Sequence, residues 1–399
     1  MRGWALTEAA QHLSEGLRIT GLLPPSQERM RLELELNMAL GPVMMGASGY
    51  AAQASLEVFQ RAEPLVKAIG SVSERMLTML GLFNVHYGRA ELNEALAIAR
   101  AYGALAELHG INRGRAHVLL GQTHAAMGAF PEAARAFGQC LQVYAEAPED
   151  VAALDVFGSQ HVVALALGAG VHYALGHAEK GRADVEQAIA RAHQTRHPLS
   201  IALALVTDLL TPIPGGLDAD PARAEAAMRF CVDHRLQNFH VWAEFAHGAI
   251  LARRGDARAG LDSMRAAIDR AEGMSSRLFR PTQLGTLASV HAKLGETGKA
   301  LALLDEALAI AASTGERRAE PSLHRLRGEL LISTGRRVRG MQALQHALSS
   351  AQALSNKGDE ARTAAVIARV QQAHSGPGRV WSTSLAAMRA LYARLVSRS

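Results

Sequence analysis

The sequence predicts an all-α fold in which about nine helical hairpins stack into a right-handed superhelical solenoid with a period of ~40 residues. Three observations predict it: a glycine recurs at a nearly constant interval, small residues keep fixed distances from that glycine, and apolar residues follow helical spacing. The composition agrees, because 49% of the 399 residues are hydrophobic and only 5% are aromatic. Alanine-rich, aromatic-poor chains suit closely packed helices better than β-sandwiches.

The recurrent glycine defines the length of one repeat. Its successive intervals are 39, 40, 48, 39, 40, 40, 40 and 41 residues. Because glycine readily adopts the left-handed backbone conformation that closes a helix C-terminus, we expect it to end the first helix of each hairpin. The positions are Gly49, Gly88, Gly128, Gly176, Gly215, Gly255, Gly295, Gly335 and Gly376.

Small residues flank this glycine at fixed distances. Gly248 lies seven residues before Gly255, and Gly260 lies five residues after it. Ala288 and Ala300 occupy the same two columns in the next repeat. Small side chains let two helix backbones approach closely, so these columns predict where the two helices of a hairpin cross.

The repeat phase runs through the whole chain, so we expect a single solenoid over residues 1–399. Residues 1–20 are expected to be the second helix of a preceding hairpin, because an amphipathic pattern begins ahead of the first full repeat. The 48-residue interval predicts an insertion at 147–158, and a proline- and glycine-rich stretch predicts a loop at 211–221.

The spacing of small residues resembles the tetratricopeptide repeat, lengthened from about 34 to about 40 residues. That resemblance implies that the first helix of each hairpin lines a concave groove. Basic residues outnumber the single acid there and two aromatic residues lie close together, which favours an acidic or C-terminal-carboxylate peptide with a hydrophobic anchor. The alternative is that these side chains only keep a solvated groove soluble. The candidate groove residues are Arg75, His86, Arg115, Gln122, Tyr173, Trp242, Phe245, Arg253, Lys293, Arg325 and Glu329.

A closer resemblance covers nearly the whole chain. It rests on segments 10–17, 33–42 and 49–52 and on the motif GERRAEPSLHRLRGELL at 315–331. These segments resemble the C-terminal tetratricopeptide-like region of bacterial multidomain regulators, in which an adenylate/guanylate cyclase-type or DNA-binding effector precedes a signal-transduction ATPase. No Gly-x-x-x-x-Gly-Lys-Ser/Thr loop occurs in this chain. The resemblance implies a sensor or scaffold region, either standing alone or cut from a longer protein.

No motif in the sequence predicts catalysis, a cofactor or a metal site, so we do not expect an enzyme. His193 and His197 would share a helix face, but Pro198 marks a helix end and no His-Glu-x-x-His pattern accompanies them. The stretch 46–50 lacks the last glycine of a nucleophile elbow, and 168–173 fails the dinucleotide-binding fingerprint.

The remaining histidine and cysteine positions indicate packing. His124, His172 and His291 share one repeat column, where a tetratricopeptide repeat usually has a tyrosine between its helices. Cys140 and Cys231 are too few for a disulfide framework or a zinc site. Both lie in apolar helical patterns, so we expect them to be buried in a reducing compartment.

Charge and hydropathy narrow the class of partner. The net charge of +5 is mild for this length and no run of five like charges occurs, so specific nucleic-acid binding is not expected. No secretory signal or membrane-spanning stretch is visible, which predicts a cytoplasmic protein without a membrane partner.

The sequence therefore predicts a protein- or peptide-binding scaffold or sensor of a bacterial signalling or regulatory system. The first alternative is a small-molecule-sensing module that controls a cyclase, an ATPase or a transcription factor. The second alternative is an enzyme of unrecognised type.

Overall fold

Eighteen α-helices and no strand make up residues 2–147, 158–211 and 220–372, the part of the chain that this computed structural model describes. The helices are α1 (Arg2–Thr20), α2 (Gln27–Ser48), α3 (Gln53–Ile69), α4 (Val72–Gly88), α5 (Leu92–His109), α6 (Arg113–Ala126), α7 (Phe130–Glu146), α8 (Gln160–Ala174), α9 (Ala178–Thr195), α10 (Pro198–Leu210), α11 (Pro221–Asp233), α12 (Gln237–Arg253), α13 (Ala257–Gly273), α14 (Arg280–Lys293), α15 (Thr297–Thr314), α16 (Glu320–Ser333), α17 (Arg337–Ala353) and α18 (Lys357–Gln372). The prediction of an all-α solenoid is confirmed.

The helices form eight antiparallel hairpins, from α2/α3 to α16/α17, with α1 before them and α18 after them. In most hairpins the two helices pack extensively against each other, whereas α11 packs more on α12 than on its own partner α10. About nine hairpins were predicted, and the ninth glycine of the column, Gly376, lies outside the described residues.

In the second half of the solenoid, from residue 235 to residue 355, residues with a left-handed backbone conformation (positive φ) recur every 20 residues. A residue with positive φ closes every first helix and every second helix there. Many of these helix ends share one capping bond, in which the N–H after the left-handed residue donates to a carbonyl five residues earlier, as Glu296 donates to His291. The evenly spaced residues are Arg235, Gly255, Ser275, Gly295, Gly315, Gly335 and Ser355.

The predicted glycine column marks the end of the first helix at all seven positions that the structure describes, and the glycine has the expected positive φ at six of them. Those six are Gly49, Gly128, Gly176, Gly255, Gly295 and Gly335. Gly88 is the last residue of α4, but Ala90 takes the left-handed conformation in its place, with φ of 60°. The Gly88 carbonyl accepts hydrogen bonds from the loop after α13. Gly215 lies outside the described residues.

The predicted small residues lie where the two helices of a hairpin cross. A Cβ atom added to Gly248 would come within 2.6 Å of the Gly260 carbonyl oxygen, and one added to Gly260 would come within 2.5 Å of the Gly248 oxygen. In the next hairpin Ala288 and Ala300 are fully buried. Backbone contact at the crossing therefore leaves no room for a larger side chain.

In the first hairpins an aromatic ring fills the space that glycine leaves. Phe59 of α3 is buried against Gly41 and Gly81, and a Cβ atom on Gly41 would lie 2.6 Å from its ring. Phe137 of α7 packs against Gly121 of α6 in the same way, at 2.7 Å. Small residues at a helix crossing thus allow either direct contact between the two backbones or the insertion of an aromatic ring between them.

The two predicted irregularities fall mostly outside the described residues. Residues 148–157 of the expected insertion and 212–219 of the expected loop are not described. After the first gap, the Ser159 hydroxyl accepts from the Val162 N–H and begins α8. Cys140 and Cys231 are buried, as predicted. None of the described helices is both long and apolar enough to span a bilayer.

Ala300→Leu should overpack the crossing of α14 and α15. We expect it to lower the free energy of unfolding by about 1–3 kcal/mol, because the extra carbons have no cavity to occupy. Ala302→Leu, on the exposed face of the same helix, is the control and should change it by less than about 0.5 kcal/mol. Urea denaturation followed by circular dichroism measures both; equal stability of the two variants would mean that the crossing tolerates bulk.

Gly295→Ala should destabilise the protein by about 1 kcal/mol through backbone strain alone. Gly295 has φ of 76°, and no atom lies within 4 Å of a Cβ added there. Gly138 is exposed inside α7 with equally open surroundings, so Gly138→Ala should stabilise by about 0.5–1 kcal/mol. Thermal melts of the pair should therefore shift in opposite directions; shifts of the same sign would contradict the role of Gly295.

Candidate groove and the seam between superhelical turns

The first helices of the hairpins line the inner side of the solenoid. Neighbouring first helices contact one another, as in α2 with α4, α6 with α8, α14 with α16 and α16 with α18. Contacts between neighbouring second helices are sparser, so the stack curves with its first helices inside. This is the arrangement on which the predicted groove depends.

Three of the predicted basic groove residues keep a solvent-accessible side chain on these helices. Arg253 and Lys293 are exposed, and Arg115 is half-buried. Arg253 and Lys293 occupy the same repeat position at the C-terminal ends of α12 and α14. They place two cations 40 residues apart in sequence at corresponding points of consecutive hairpins.

Several other predicted groove residues are engaged by near neighbours. The Arg75 guanidinium donates to the carbonyls of Val66 and Lys67 at the C-terminus of α3, at 3.4 and 3.2 Å. Arg325 and Glu329 form an ion pair one turn apart on α16, with Nη1 2.8 Å from Oε1. These contacts give Arg75 a capping role and neutralise most of the charge of the Arg325–Glu329 pair.

The two predicted aromatic residues differ in their surroundings. Phe245 is only 4% exposed and belongs to the core between α12, α13 and α14. Its predicted place in the groove is therefore wrong, because it offers no surface to a partner. Trp242, on the neighbouring face of α12, is half-buried and meets the Phe279 ring edge-on at 5.3 Å between centroids.

Tyr173 and Gln122 lie at the ends of first helices and are half-buried. Tyr173 packs beside Ala169 and Val185. The Gln122 carbonyl accepts from the Tyr87 hydroxyl at 3.3 Å, which ties α6 to α4. Tyr173 thus contributes to packing within the hairpin α8/α9, whereas the backbone of Gln122 contributes to contact between two hairpins.

The histidine column is structural, as the sequence indicates. His172 places Nδ1 2.6 Å from the Asp184 carboxylate, and His291 pairs through Nδ1 with Glu296. His86, four residues before the left-handed Ala90, extends the same column and pairs with Glu91 at 2.6 Å. The acid lies on the turn or on the second helix, so each pair fastens one hairpin.

Successive turns of the superhelix are joined by hydrogen bonds between backbone atoms. The Gly88 carbonyl, at the turn of hairpin α4/α5, accepts from the N–H groups of Arg277 and Leu278 at 2.8 and 3.1 Å. The Ala126 carbonyl, at the next turn, accepts from the Arg318 N–H at 3.4 Å. The loop after hairpin α12/α13 thus contacts the turn of hairpin α4/α5, and the loop after α14/α15 contacts the turn of α6/α7. In both cases the two hairpins are four places apart in the stack.

Side chains extend this line of contacts in both directions, and we call the whole line the seam. Met274 lies against Gly49, Leu354 against Gly128 and Lys357 against Gly176. The glycines at these turns therefore have two uses: they take positive φ and they admit a loop from the next superhelical turn. The seam consists of Gly49, Gly88, Ala126, Gly128 and Gly176 on one side and Met274, Arg277, Leu278, Arg318, Leu354 and Lys357 on the other.

A buried carboxyl group lies beside the seam. Glu316 has no solvent exposure, and its Oε2 accepts from the Phe279 N–H at 2.9 Å. Phe279 has φ of 63°, a strained value for a non-glycine residue that this bond helps to hold. The other oxygen, Oε1, is buried and has no hydrogen-bond partner among the described residues. Burial raises the pKa of Glu316 to about 8.

A cation adjoins this carboxyl group. The Arg318 guanidinium carbon lies 4.8 Å from the centre of the Phe279 ring, stacked over its face. Burial lowers the pKa of Arg318, while the nearby Glu316 and Tyr87 raise it. Glu316 and Arg318 lie in the motif at 315–331, but no pattern in the sequence indicates the role of either residue. Phe279 belongs to no motif in the sequence.

The segments that partly match catalytic motifs lie within a helix or at a helix end, and among the described residues no strand precedes either of them. Ser48 is the last residue of α2, and 168–173 lies within α8. His193 lies in the last turn of α9, whereas His197 precedes α10, with the left-handed Arg196 between them. Within the described ranges, no three histidine, cysteine, aspartate or glutamate side chains form a group that could hold a metal ion.

Comparison with known proteins gives a likeness of fold alone. No family model matches the chain, and no curated protein does. Among solved structures, a Rap protein complexed with Competence and Sporulation Factor matches with a TM-score of 0.62 and 11% identity, over 88% of this chain and 99% of that one. The APC/C hetero-tetramer Cut9–Hcn1 gives 0.43 and 12%, over 88% and 68%. A signal transduction ATPase with a tetratricopeptide repeat sensor from Pyrococcus horikoshii gives 0.43 and 12%, over 94% and 60%.

Glu316→Gln should flatten the pH dependence of stability. The pKa of Glu316 is about 8 in the folded protein against an ordinary value of 4.5, so the folded chain binds this proton more tightly than the unfolded chain. The free energy of unfolding should therefore fall as the pH rises between these two values and level off above about 8. Glutamine has no proton to lose, and its oxygen still accepts from the Phe279 N–H.

Urea denaturation at pH 5, 7 and 8.5 measures this effect. The difference in stability between pH 5 and pH 8.5 should be smaller for Glu316→Gln than for the wild type. Glu306→Gln, at an exposed position of α15, is the control and should follow the wild type. If the free energy of unfolding changes with pH to the same extent in all three proteins, Glu316 is not the group whose titration changes the stability.

Proposed function

We propose that this chain is a protein- or peptide-binding scaffold or sensor of a bacterial signalling or regulatory system, which binds its partner along the first helices of the solenoid. The observation that carries the proposal is the pair of exposed cations, Arg253 and Lys293, at the same position of consecutive first helices. An extended acidic peptide presents charges to successive hairpins, and a repeated cation matches such a partner.

Trp242 is the proposed hydrophobic anchor. It lies near the start of α12, which Arg253 ends, and it is half-buried with its ring edge-on to Phe279. A tryptophan already held by a neighbouring ring loses little conformational freedom on binding, so it suits an anchoring role. With Phe245 in the core, Trp242 is the aromatic contact that we assign on α12.

The fold supports a binding role. Solenoids of stacked helical hairpins offer extended concave surfaces, and the Rap structure of similar fold was solved with a second molecule, Competence and Sporulation Factor. We extend binding to this chain by that analogy of fold. The motif at 315–331 supports the further proposal that the bound state is relayed to a cyclase, an ATPase or a transcription factor.

A small-molecule sensor is the second candidate function. It is favoured by Arg318, a largely enclosed cation stacked on an aromatic ring, which suits a small anion as well as a peptide. The two functions differ in the length of ligand needed. A sensor saturates with the small molecule alone, whereas a peptide-binding scaffold gains affinity as the ligand spans more hairpins.

Trp242→Ala and charge reversal at Arg253 and Lys293 should alter different rate constants. Peptides selected on an array of acidic sequences with one hydrophobic residue serve as ligands, and biolayer interferometry gives the rates. Trp242→Ala should raise the dissociation rate about tenfold or more and leave the association rate unchanged. Arg253→Glu and Lys293→Glu should slow association, and more so at ~50 mM than at ~500 mM salt.

Arg258→Glu is the matched control, since Arg258 is exposed on the second helix α13, away from the groove. It changes the net charge by the same amount and should leave both rates close to those of the wild type. Retention of wild-type kinetics by all three groove variants would reject the first helices as the binding surface. Failure of every peptide to bind would reject the peptide-binding function itself.

A further inference from the structure

The Arg318 side chain is a cation without a hydrogen-bond acceptor. Its backbone N–H bonds to Ala126, but in the described part of the chain its guanidinium forms no hydrogen bond and no ion pair within 4 Å. It is largely enclosed yet still reaches solvent. A guanidinium carries five donors, and those of Arg318 are left to solvent because no acceptor of the described chain meets them.

The surroundings of Arg318 leave the edge of the guanidinium open. The Phe279 ring covers one face, at 4.8 Å, and the Trp242 ring adjoins Phe279 at 5.3 Å. A cation stacked on a ring presents its N–H edge away from the ring, in the geometry that binds two oxygens side by side. The Glu316 side chain lies close by, with Oε1 buried and unpartnered.

We propose that Arg318, Phe279 and Trp242 form a binding site for the carboxylate of a ligand, with an apolar side chain of the same ligand against the two rings. Arg318 binds both oxygens of the carboxylate, while the fully buried Glu316 holds Phe279 in place by accepting from its N–H. The proposal rests on the proposed peptide-binding function and names the chemical group that the site recognises.

Glu316 supports the site from behind the Phe279 ring. It is fully buried and accepts from the Phe279 N–H, so it helps to hold the ring on which Arg318 is stacked. Burial raises its pKa to about 8, so at neutral pH most of this group is protonated and does not repel a bound carboxylate. A carboxylate carries a single charge spread over two coplanar oxygens, which match the paired donors of one guanidinium.

The site also links two turns of the superhelix. Arg318 bonds through its backbone to Ala126 of α6, and Phe279 packs with Tyr87 and Met127 beside the α4/α5 and α6/α7 turns. A carboxylate held here contacts residues on one side of the seam only, and it acts on the seam through the loop whose Arg318 N–H donates to Ala126. Ligand binding should therefore fix the position of that loop and couple occupancy to curvature.

The experiment uses the full chain with Trp4 and Trp381 replaced by phenylalanine, so that Trp242 is the one remaining tryptophan. Three probes are titrated while its fluorescence is recorded: N-acetyl-phenylalanine, its C-terminal amide, and N-acetyl-aspartyl-phenylalaninamide. We expect saturable binding of N-acetyl-phenylalanine and at least about tenfold weaker binding of the amide. The aspartyl probe distinguishes the sources: if it binds as well as the free acid, side-chain carboxylates are accepted, and if it does not, the site requires a C-terminus.

Two substitutions test the role of Arg318. Arg318→Gln should abolish saturation, and Arg318→Lys, which keeps the charge but loses the two-pronged donor edge, should weaken binding about tenfold. Arg317→Gln is the control, because Arg317 is exposed and paired with Glu320, and it should bind as the parent does. If Arg318→Gln does not fold, as judged by circular dichroism, the comparison of Arg318→Lys with Arg317→Gln decides.

Equal binding of the acid and the amide, or unchanged binding in both Arg318 variants, would overturn the carboxylate site. The proposed function fails separately, because its test uses long peptides and the Arg253 and Lys293 variants. Long peptides that bind equally well to the wild type and to Arg318→Lys would leave peptide binding in place and remove only the carboxylate contact.

Discussion

The spacing of left-handed residues is the constraint on which the rest of the structure depends. Because they recur every 20 residues from Arg235 to Ser355, helices in this half have nearly equal lengths and hairpins repeat every 40 residues. A constant period brings equivalent loops to equivalent places one superhelical turn later. The N–H groups of Leu278 and Arg318 are 40 residues apart in sequence. Their acceptors, the carbonyls of Gly88 and Ala126, lie at the turns of two consecutive hairpins. A change in one helix length would shift every later contact of the seam.

Within that frame the hairpins and the seam use different interactions. Each hairpin is held by close packing, with small residues or an inserted ring at the crossing and a histidine–acid pair at some turns. The seam joins loops and helix ends through backbone hydrogen bonds and a few buried apolar side chains, such as Leu278 and Leu354. Backbone hydrogen bonds contribute about 1 kcal/mol each, and each buried leucine contributes more. Because whole helices pack together within a hairpin and only loops and helix ends meet at the seam, the seam is the weaker of the two kinds of interface, and the place where a ligand can change the shape of the solenoid.

The Glu316–Arg318 site combines backbone strain with incompletely bonded polar groups. Glu316 is fully buried, Arg318 is half-buried and no direct ion pair joins them, an arrangement that lowers stability compared with hydrophobic residues of similar size. Phe279 adds the cost of a left-handed conformation. Other buried polar atoms, such as Asn37 Oδ1 and Thr363 Oγ1, also lack partners among the described residues, but here such an atom lies beside a strained residue and a stacked cation, which fits a site shaped for a ligand. The proposed carboxylate supplies the acceptor that Arg318 lacks.

The sequence by itself determined the helical class, the period and most of the hairpin crossings. Gly248 and Gly260 could be predicted because their role depends on residues close in sequence, and local spacing records such roles. The left-handed Ser275, Ser355 and Ala90 could not, since a non-glycine residue gives no local sign of positive φ. Three positions along one helix separate Trp242 from Phe245, and only packing against α13 and α14 decided which of them is buried.

Tertiary structure alone decided the seam and the site beside it. Phe279 and Glu316 are 37 residues apart, and Arg318 meets Ala126 from a loop on another superhelical turn. Such contacts depend on how far each hairpin rotates relative to the last. That rotation is a small angle summed over several hairpins, and no single stretch of sequence encodes it.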